Sequence, residues 1–272
     1  MPPPSACSCR PNGCLSINDN FVIGPIPYVG GKTRLFKQII ARFPEHLTYV
    51  ELFGGGGQVL FRKEPSQVEV LNDIDGELMN FYRCCQNHYE ELVRYLRYCL
   101  ISRKWFEILR AAPPESMTDI QRAGRLFLLH KQTYGGLILK QHYHYGVTQR
   151  PNFNPARIPE IIEAAHKRLQ HVQLECLPYE EVLQRYDRRS TLFFVDPPYW
   201  GPKLYKTNFD RGDFELLATK LTTISGKFLL TLNDRPEVAE VFHSFPREVV
   251  EIAYSAQRSG GRRHREVLIT NY

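Results

Sequence analysis

Short apolar runs alternate with segments of helical periodicity along most of this 272-residue chain. Because strands joined by crossover helices produce this alternation, it predicts an α/β fold. We predict strands at residues 49–53, 68–73, 172–176, 192–196, 227–232, 249–254 and 266–270. We predict helices at residues 32–42, 75–86, 90–101, 120–132, 158–170, 214–225 and 236–243. Seven strands in this arrangement predict a Rossmann-like, doubly wound, mixed sheet.

The spacing of the predicted strands also indicates how the domain is organised. About ninety residues separate the second strand from the third, far more than one crossover helix requires. We interpret residues 76–170 as an inserted, mostly helical subdomain in a domain formed by residues 23–75 and 171–272. We predict that residues 1–22 form a disordered leader. Its Cys7, Cys9 and Cys14 lack the paired spacing typical of zinc sites, so we expect no metal.

The sequence lacks the features of a membrane-spanning protein and of a secreted protein. No apolar run approaches the roughly 18 to 20 residues that a membrane-spanning helix needs, and the first residues do not have the pattern of a secretory signal. The seven cysteines are an odd number and mostly lie apart, which favours reduced thiols over a disulfide framework. We therefore expect a cytoplasmic protein.

The net charge of +6 is concentrated in one stretch. Six cations and no carboxylate lie within residues 122–157, with histidines and tyrosines between them. Such a stretch attracts a phosphate backbone and can stack on bases, so it predicts nucleic-acid binding, with a solvated basic face as the alternative. The cationic run at residues 258–265 could bind the same phosphate backbone. The predicted nucleic-acid-binding residues are Arg122, Arg125, Lys131, Tyr134, Lys140, His142, Arg150, Asn152, Arg262 and Arg263.

The first predicted strand runs into four consecutive glycines at residues 54–57, followed by a helix-like segment at residues 58–62. Such a turn lets the backbone approach a ligand closely. The pattern is not GxGxxG, because Val59 and Leu60 occupy the third glycine position in either register. Asp73 follows the next strand, where a carboxylate can accept hydrogen bonds from ribose hydroxyls. The turn and Asp73 together predict a nucleoside-containing cofactor.

The fourth predicted strand delivers Asp196 to the carboxyl edge of the sheet, and Pro197, Pro198 and Tyr199 follow it. Asp196 and the Pro197 carbonyl can both accept hydrogen bonds from one amino group, and Tyr199 offers a flat face for an unpaired base. A stiff loop with Asp196 as a cap is the structural alternative. The order strand, Asp, Pro, Pro, Tyr favours a catalytic site.

These motifs resemble those of the Dam-type DNA adenine methyltransferases. The catalytic DPPY motif of that family is matched by Asp196, Pro197, Pro198 and Tyr199. Its opening motif corresponds to residues 27–32 (PYVGGK), its glycine motif to residues 53–57 and its acidic motif to residues 72–75. The order of the motifs resembles the alpha arrangement of these enzymes. The glycine-rich insertion and the closing residues 266–272 look most like phage and prophage adenine methylases.

The resemblance implies methyl transfer from S-adenosyl-L-methionine to the 6-amino group of a flipped adenine in DNA, without a metal. It implies that Tyr28 and Lys32 line the cofactor pocket, that Asp73 holds the ribose, and that Asp196 lies beside both the methionine moiety and the target amine. The predicted cofactor-binding residues are Tyr28, Gly31, Lys32, Glu51, Phe53, Gly54, Gly55, Gly56, Asp73 and Asp196. The predicted catalytic residues are Asp196, Pro197, Pro198 and Tyr199.

Several alternatives stay open at this stage. A catalytically silent DNA-binding subunit is one. A cytosine 4-amino methyltransferase is another, although such enzymes more often have Ser in place of Asp196. Pro178 and Tyr179 stand where the family tends to have an Asp–aromatic pair, so we expect backbone or stacking contacts to hold the adenine of the cofactor. The glycine-containing connection at residues 133–155 predicts weak or absent sequence preference.

Overall fold

The computed structural model describes residues 22–133, 136–139, 141–144, 153–252 and 264–272. In this part of the chain, one seven-stranded sheet forms the centre of the molecule. Its strands are β1 (Thr48–Glu51), β2 (Val68–Asn72), β3 (Val172–Glu175), β4 (Thr191–Val195), β5 (Lys227–Asn233), β6 (Arg247–Ile252) and β7 (His264–Thr270). Each coincides with a predicted strand to within two residues, so the α/β prediction is confirmed. Of the predicted leader, only Val22 lies within the described residues.

The sheet has the strand order β3-β2-β1-β4-β5-β7-β6. Strands β1 to β5 run parallel, whereas β7 is antiparallel to both β5 and β6. The chain places β2 and β3 on one side of β1, and β4 and β5 on the other. The order therefore reverses between β1 and β4, and α/β sheets bind ligands beyond the carboxyl ends of the strands at such a point.

Helices connect the strands. They are α1 (Phe36–Ile40), α2 (Gly76–Asn87), α3 (Tyr89–Leu96), α4 (Arg103–Ala111), α5 (Asp119–Gln132), α6 (Ile158–Leu169), α7 (Tyr179–Tyr186), α8 (Arg211–Thr223) and α9 (Pro236–Val241), with short 3₁₀ turns at Pro114–Ser116 and Pro155–Arg157. All seven predicted helices have a counterpart among them. None of these helices is long and apolar enough to cross a membrane.

The helices differ from the prediction in five places, one of which is that α4 was not predicted. Helix α1 is shorter than predicted, since residues 32–35 form turns. The helix predicted at residues 90–101 ends at Leu96, and Ser102 caps the separate helix α4 by accepting a hydrogen bond from the Trp105 amide. Helix α7 was not predicted, because eight residues are too short to establish a helical period. Residues 58–62 form turns and not a helix.

The two faces of the sheet pack against different helices. Side chains alternate along the strands, so Tyr49 faces one side and Val50 the other. Tyr49 belongs to a core that contains residues of helices α1 to α6. Val50 belongs to a second core, which contains residues of α7, α8 and α9. The inserted helices of residues 76–170 therefore share one core with a face of the sheet, which holds them beside its carboxyl edge.

Candidate active site

A cavity of about 220 Å³ lies at the carboxyl ends of β1, β2 and β4. All ten residues of the predicted cofactor-binding set line it, and so does Pro198. These residues come from the opening motif, the glycine turn, the end of β2 and the end of β4. The fold thus brings the four motifs to one place, while binding of a cofactor there remains a prediction.

The glycine turn forms one wall of the cavity. Gly55 has a backbone φ of +47°, in the left-handed region that favours glycine. A Cβ atom on Gly55 would lie 2.9 Å from the Tyr28 ring, and one on Gly54 would lie 2.7 Å from the Leu71 side chain. The turn therefore has no room for side chains, and its backbone is close to any ligand in the cavity.

Asp73 lies beside this turn at the end of β2. Its Oδ2 accepts a hydrogen bond from the Gly55 amide at 2.9 Å, and its Oδ1 accepts one from the Asp75 amide at 2.9 Å. Burial raises the pKa of Asp73 to about 6. The group is therefore ionised at neutral pH, and its remaining lone pairs can accept hydrogen bonds from a ligand.

Glu51, the last residue of β1, is buried in the floor of the cavity. Its Oε2 accepts hydrogen bonds from the Tyr49 hydroxyl at 2.9 Å and from the Leu60 amide at 3.0 Å. Burial raises the pKa of Glu51 to about 8, against the effect of these two donors. The side chain therefore mostly keeps its proton at neutral pH.

Asp196 follows β4, and its side chain is 16% exposed, which is enough to reach the cavity. Its Oδ1 accepts hydrogen bonds from Lys32 Nζ at 2.6 Å and from the Thr231 hydroxyl at 2.7 Å. Burial raises the pKa of Asp196, although Lys32 opposes that effect. Among the described residues, neither donor uses Oδ2, so one oxygen is anchored and the other is left for a substrate.

Lys32 connects the opening motif to this carboxylate. Its ammonium donates to the Gly30 carbonyl at 2.9 Å, to Asp196 at 2.6 Å and to the Tyr199 hydroxyl at 2.9 Å, which uses all three of its N–H groups. Burial alone would lower the pKa of Lys32, but Asp196 and Glu266 outweigh it and raise the pKa. Lys32 is therefore a buried cation with two acidic neighbours.

The rest of the DPPY motif is held by packing and by hydrogen bonds of the Tyr199 hydroxyl. Pro197 is buried, whereas Pro198 and Tyr199 are half-buried. The Tyr199 hydroxyl donates a hydrogen bond to Glu266 Oε1 at 2.7 Å. Trp200 stacks on Phe214 with 4.7 Å between the ring centroids, so it belongs to the second core.

Residues 201–210, here called the strap, also contribute to the cavity. The sequence did not predict this contribution. Tyr205, Lys206, Thr207 and Phe209 line the cavity. The Tyr205 hydroxyl donates to the Val29 carbonyl at 3.2 Å, and Lys206 forms an ion pair with Asp75 at 2.8 Å. Only the position of the strap directly after the DPPY motif could have indicated this role.

The insertion also reaches the cavity. Ile138 lines it, and the Val29 amide donates to the Gly136 carbonyl at 3.3 Å. His130 stacks on Tyr28 with 5.6 Å between nearly parallel rings. The insertion and the cavity are therefore in direct contact through the opening motif.

The predicted nucleic-acid-binding residues that the structure describes have varied surroundings. Arg122 pairs with Glu77 and Asp119, and Arg125 donates to the Leu109 carbonyl at 2.6 Å, so both hold helices together. Burial lowers the pKa of Lys131 to about 8, and His142 is exposed. Tyr134, Lys140, Arg150, Asn152, Arg262 and Arg263 lie outside the described residues. Contact of the set with nucleic acid remains a prediction.

Comparison with known proteins gives the family. The family model of the D12 class N6 adenine-specific DNA methyltransferases matches residues 28–256. The chain belongs to this family. The matched range of this D12-class chain contains the glycine turn, Asp73 and the DPPY motif, so the resemblance drawn from the motifs is confirmed.

Relatives of this D12-class chain include two DNA methyltransferases. It is 26% identical over 235 residues to the DNA N-6-adenine-methyltransferase of Escherichia phage P1, covering 79% of this chain and 30% of that protein. It is 24% identical over 268 residues to the type II methyltransferase M1.LlaDCHI of Lactococcus lactis subsp. cremoris, covering 90% of this chain and 94% of that protein. The chain thus spans less than a third of the phage protein and almost all of the lactococcal one.

Proposed function

We propose that this chain transfers a methyl group from S-adenosyl-L-methionine to the exocyclic 6-amino group of adenine in DNA. The observation that carries the proposal is the cavity between β1 and β4, in which the glycine turn and Asp73 face Asp196. Membership of the D12 class supports adenine in DNA as the target. A catalytically silent DNA-binding subunit would have no need for this arrangement of charged groups.

The residues around the cavity suit S-adenosylmethionine. The backbone of the glycine turn can approach the ligand, and ionised Asp73 can accept hydrogen bonds from its ribose. Phe53 and Phe209 line the same cavity and contact each other edge to face, so the face of one of the two rings could stack on the adenine of the cofactor. When bound, the cofactor supplies a methyl group activated by a positively charged sulfur.

Asp196 acts on the target amine. The lone pair of an adenine amino group is delocalised into the ring, which makes the group a poor nucleophile. Oδ2 of Asp196, with the Pro197 carbonyl as a second acceptor, would bind the two N–H groups and localise the lone pair on nitrogen. The nitrogen loses one proton as it gains the methyl group, and Asp196, which would accept a hydrogen bond from that N–H, can take this proton. Alignment can contribute up to about 7 to 11 kcal/mol.

Tyr199 would hold the target base. A base inside the duplex cannot reach the cavity, so it must be flipped out at a cost of a few kcal/mol, and stacking on an aromatic ring offsets part of that cost. Phosphate contacts from the cationic insertion would offset more of it.

The proposal is tested by incubating the protein and DNA with S-adenosylmethionine labelled in the methyl group and digesting the DNA to nucleosides. We expect the label in N6-methyladenine. Label in N4-methylcytosine would assign the protein to the cytosine enzymes instead. DNA binding and cofactor binding without any labelled nucleoside would favour a catalytically silent subunit.

The target sequence is a separate part of the proposal. We expect methylation with weak or absent sequence preference, on the basis of the glycine-containing connection at residues 133–155. Mapping methylated adenines across a plasmid tests this expectation, and a single dominant short motif would contradict it.

A further inference from the structure

Glu266 on β7 lies behind the DPPY motif. Its side chain is 10% exposed, and it is not among the residues that line the cavity. Oε1 accepts the hydrogen bond of the Tyr199 hydroxyl at 2.7 Å, and Oε2 lies 3.9 Å from Lys32 Nζ. Glu266 therefore contacts two groups of the candidate active site from outside it.

Three neighbouring strands supply the two carboxylates near Lys32 and the hydroxyl that binds one of them. Asp196 follows β4, Thr231 lies on β5, and Glu266 lies on β7, which pairs with β5. Lys32 Nζ also lies 4.7 Å from the centre of the Tyr199 ring. The rigid sheet thus determines the relative positions of the carboxylate, the ring and the ammonium group.

The direction of the hydrogen bonds at Tyr199 matters for its role. The hydroxyl oxygen accepts a hydrogen bond from the Lys32 ammonium, and the hydroxyl donates a hydrogen bond to Glu266. Both bonds are roughly the length of charge-assisted hydrogen bonds. A phenol held at its oxygen by two charged groups has little freedom to rotate, so its ring keeps one orientation.

We propose that Glu266 is a positioning residue for methyl transfer, which fixes the Tyr199 ring under the target base and, through Lys32, the Asp196 carboxylate beside its amine. This inference rests on the proposed function. It predicts that Glu266 affects the rate of transfer more than the binding of the cofactor, because Glu266 is outside the cavity wall.

Two variants separate the charge of Glu266 from its hydrogen bond. In Glu266→Gln, the amide oxygen can still accept the Tyr199 proton, but the second negative charge near Lys32 is removed. In Glu266→Ala, the charge and the acceptor are both removed. We expect kcat to fall about 10- to 100-fold in Glu266→Ala and by a smaller factor in Glu266→Gln. The KM for S-adenosylmethionine should stay within about twofold of the wild-type value in both variants.

Glu69→Gln provides a matched control. Glu69 is also buried and paired with cations, Lys63 and Arg168, but it lies near the start of β2, away from the carboxyl edge. We expect this variant to lower the melting temperature and leave kcat within about twofold. An equal loss of kcat in Glu69→Gln would mean that Glu266 acts only through stability, which would overturn the inference.

A double-mutant cycle with Tyr199→Phe tests the route through the hydroxyl. In the Tyr199→Phe background no hydrogen bond to Glu266 exists, so Glu266→Ala should reduce kcat by a clearly smaller factor than in the wild type. Additive effects of the two substitutions would contradict positioning through Tyr199.

A structure of Glu266→Ala tests positioning without any reaction. We expect the Tyr199 ring or the Asp196 carboxylate to rotate away from its wild-type orientation. Unchanged positions of both side chains would overturn the inference even if the wild-type protein methylates DNA. The opposite outcome is that the wild-type protein transfers no methyl group, while these side chains do rotate in Glu266→Ala. The proposed function would then be wrong, although Glu266 would still be shown to position the two side chains.

Discussion

At the scale of single residues, burial decides the protonation of the acidic groups in the cavity. Asp73 and Glu51 both have raised pKa values, of about 6 and about 8 respectively. At neutral pH the first is mostly charged and the second mostly neutral. Two carboxyl groups of one cavity therefore have different protonation states at neutral pH, and this difference can be measured.

Substitution of Glu51 by Gln should change how stability depends on pH. Folded Glu51 keeps its proton up to a pKa of about 8, whereas the unfolded chain loses it near the ordinary value of 4.5. The free energy of unfolding of the wild type therefore falls as the pH rises through this window. Gln has no proton to lose, so the free energy of unfolding of Glu51→Gln should rise by on the order of 4 kcal/mol relative to that of the wild type between pH 4 and pH 8.

Urea denaturation of both proteins at several pH values measures this difference. We expect the gap between the two free energies of unfolding to widen steadily from pH 4 to pH 8. Parallel curves would show that burial of Glu51 does not raise its pKa.

At the scale of structural elements, the glycine turn and the strap both contribute residues to the wall of the cavity. The turn was predictable because its four glycines are contiguous and follow a strand. The strap was not, because Tyr205 and Lys206 contribute through contacts with Val29 and Asp75, which are far away in the sequence. Local sequence patterns predict what is contiguous, whereas such contacts depend on the packed fold.

Substitution of Gly55 by Ala should weaken cofactor binding at least about tenfold. The new Cβ would be 2.9 Å from the Tyr28 ring, so this ring would have to move within the cavity wall. Gly201→Ala is the control, because Gly201 also has a positive φ, of +96°, but a Cβ there meets nothing within 4 Å. Calorimetric titration with S-adenosylmethionine measures both. Equal affinities for Gly55→Ala and Gly201→Ala would contradict this account of the turn.

Substitution of Lys206 by Ala should make the cofactor dissociate faster. The ion pair with Asp75 joins the strap to the end of β2 at the cavity wall, but Lys206 is half exposed, so we expect an increase of no more than about fivefold. Lys203→Ala removes an exposed charge from the same strap and should have no effect. Stopped-flow measurement of cofactor release distinguishes the two variants, and identical rates in both would show that the Lys206–Asp75 ion pair does not retain the cofactor.

At the scale of the whole molecule, the sheet joins groups that no local motif connects. Thr231 and Glu266 belong to strands that the sequence predicts, but only the pairing of β5 with β4 and β7 brings them to Asp196. Arg122 shows the opposite case. Its sequence context indicates DNA binding, yet packing of α5 against α2 gives it Glu77 as a partner. Ion pairs of this kind follow from helix packing and cannot be deduced from charge runs.

DNA binding should depend steeply on salt, and part of that dependence should come from α4. Its Arg103, Lys104 and Arg110 are exposed; Arg103 lies 5.4 Å from the centre of the Tyr143 ring, and Arg110 donates to the Gln141 carbonyl at 2.9 Å. Neutralising all three should reduce the slope of log affinity against log salt by about 0.9 for each phosphate that these side chains neutralise in the wild type.

The control for this measurement is a pair of cations at the other end of the sheet. Arg188 and Arg189 are exposed and precede β4, on the side away from the cavity. Replacing both with Ala should leave the salt slope unchanged. Equal effects of the two sets of substitutions would show a non-specific contribution of net charge and not a DNA-binding surface.

We propose that the Asp196 carboxylate binds and deprotonates the target amine in the cavity that would hold the cofactor. The most direct measurement compares wild type with Asp196→Asn in single-turnover methylation of DNA and in cofactor titration. Asn keeps the oxygen that Lys32 and Thr231 bind, but it presents an amide to the target amine. We predict a rate about 100-fold lower with cofactor affinity within about threefold. A rate close to that of the wild type, or a loss explained entirely by weaker cofactor binding, would contradict the claim.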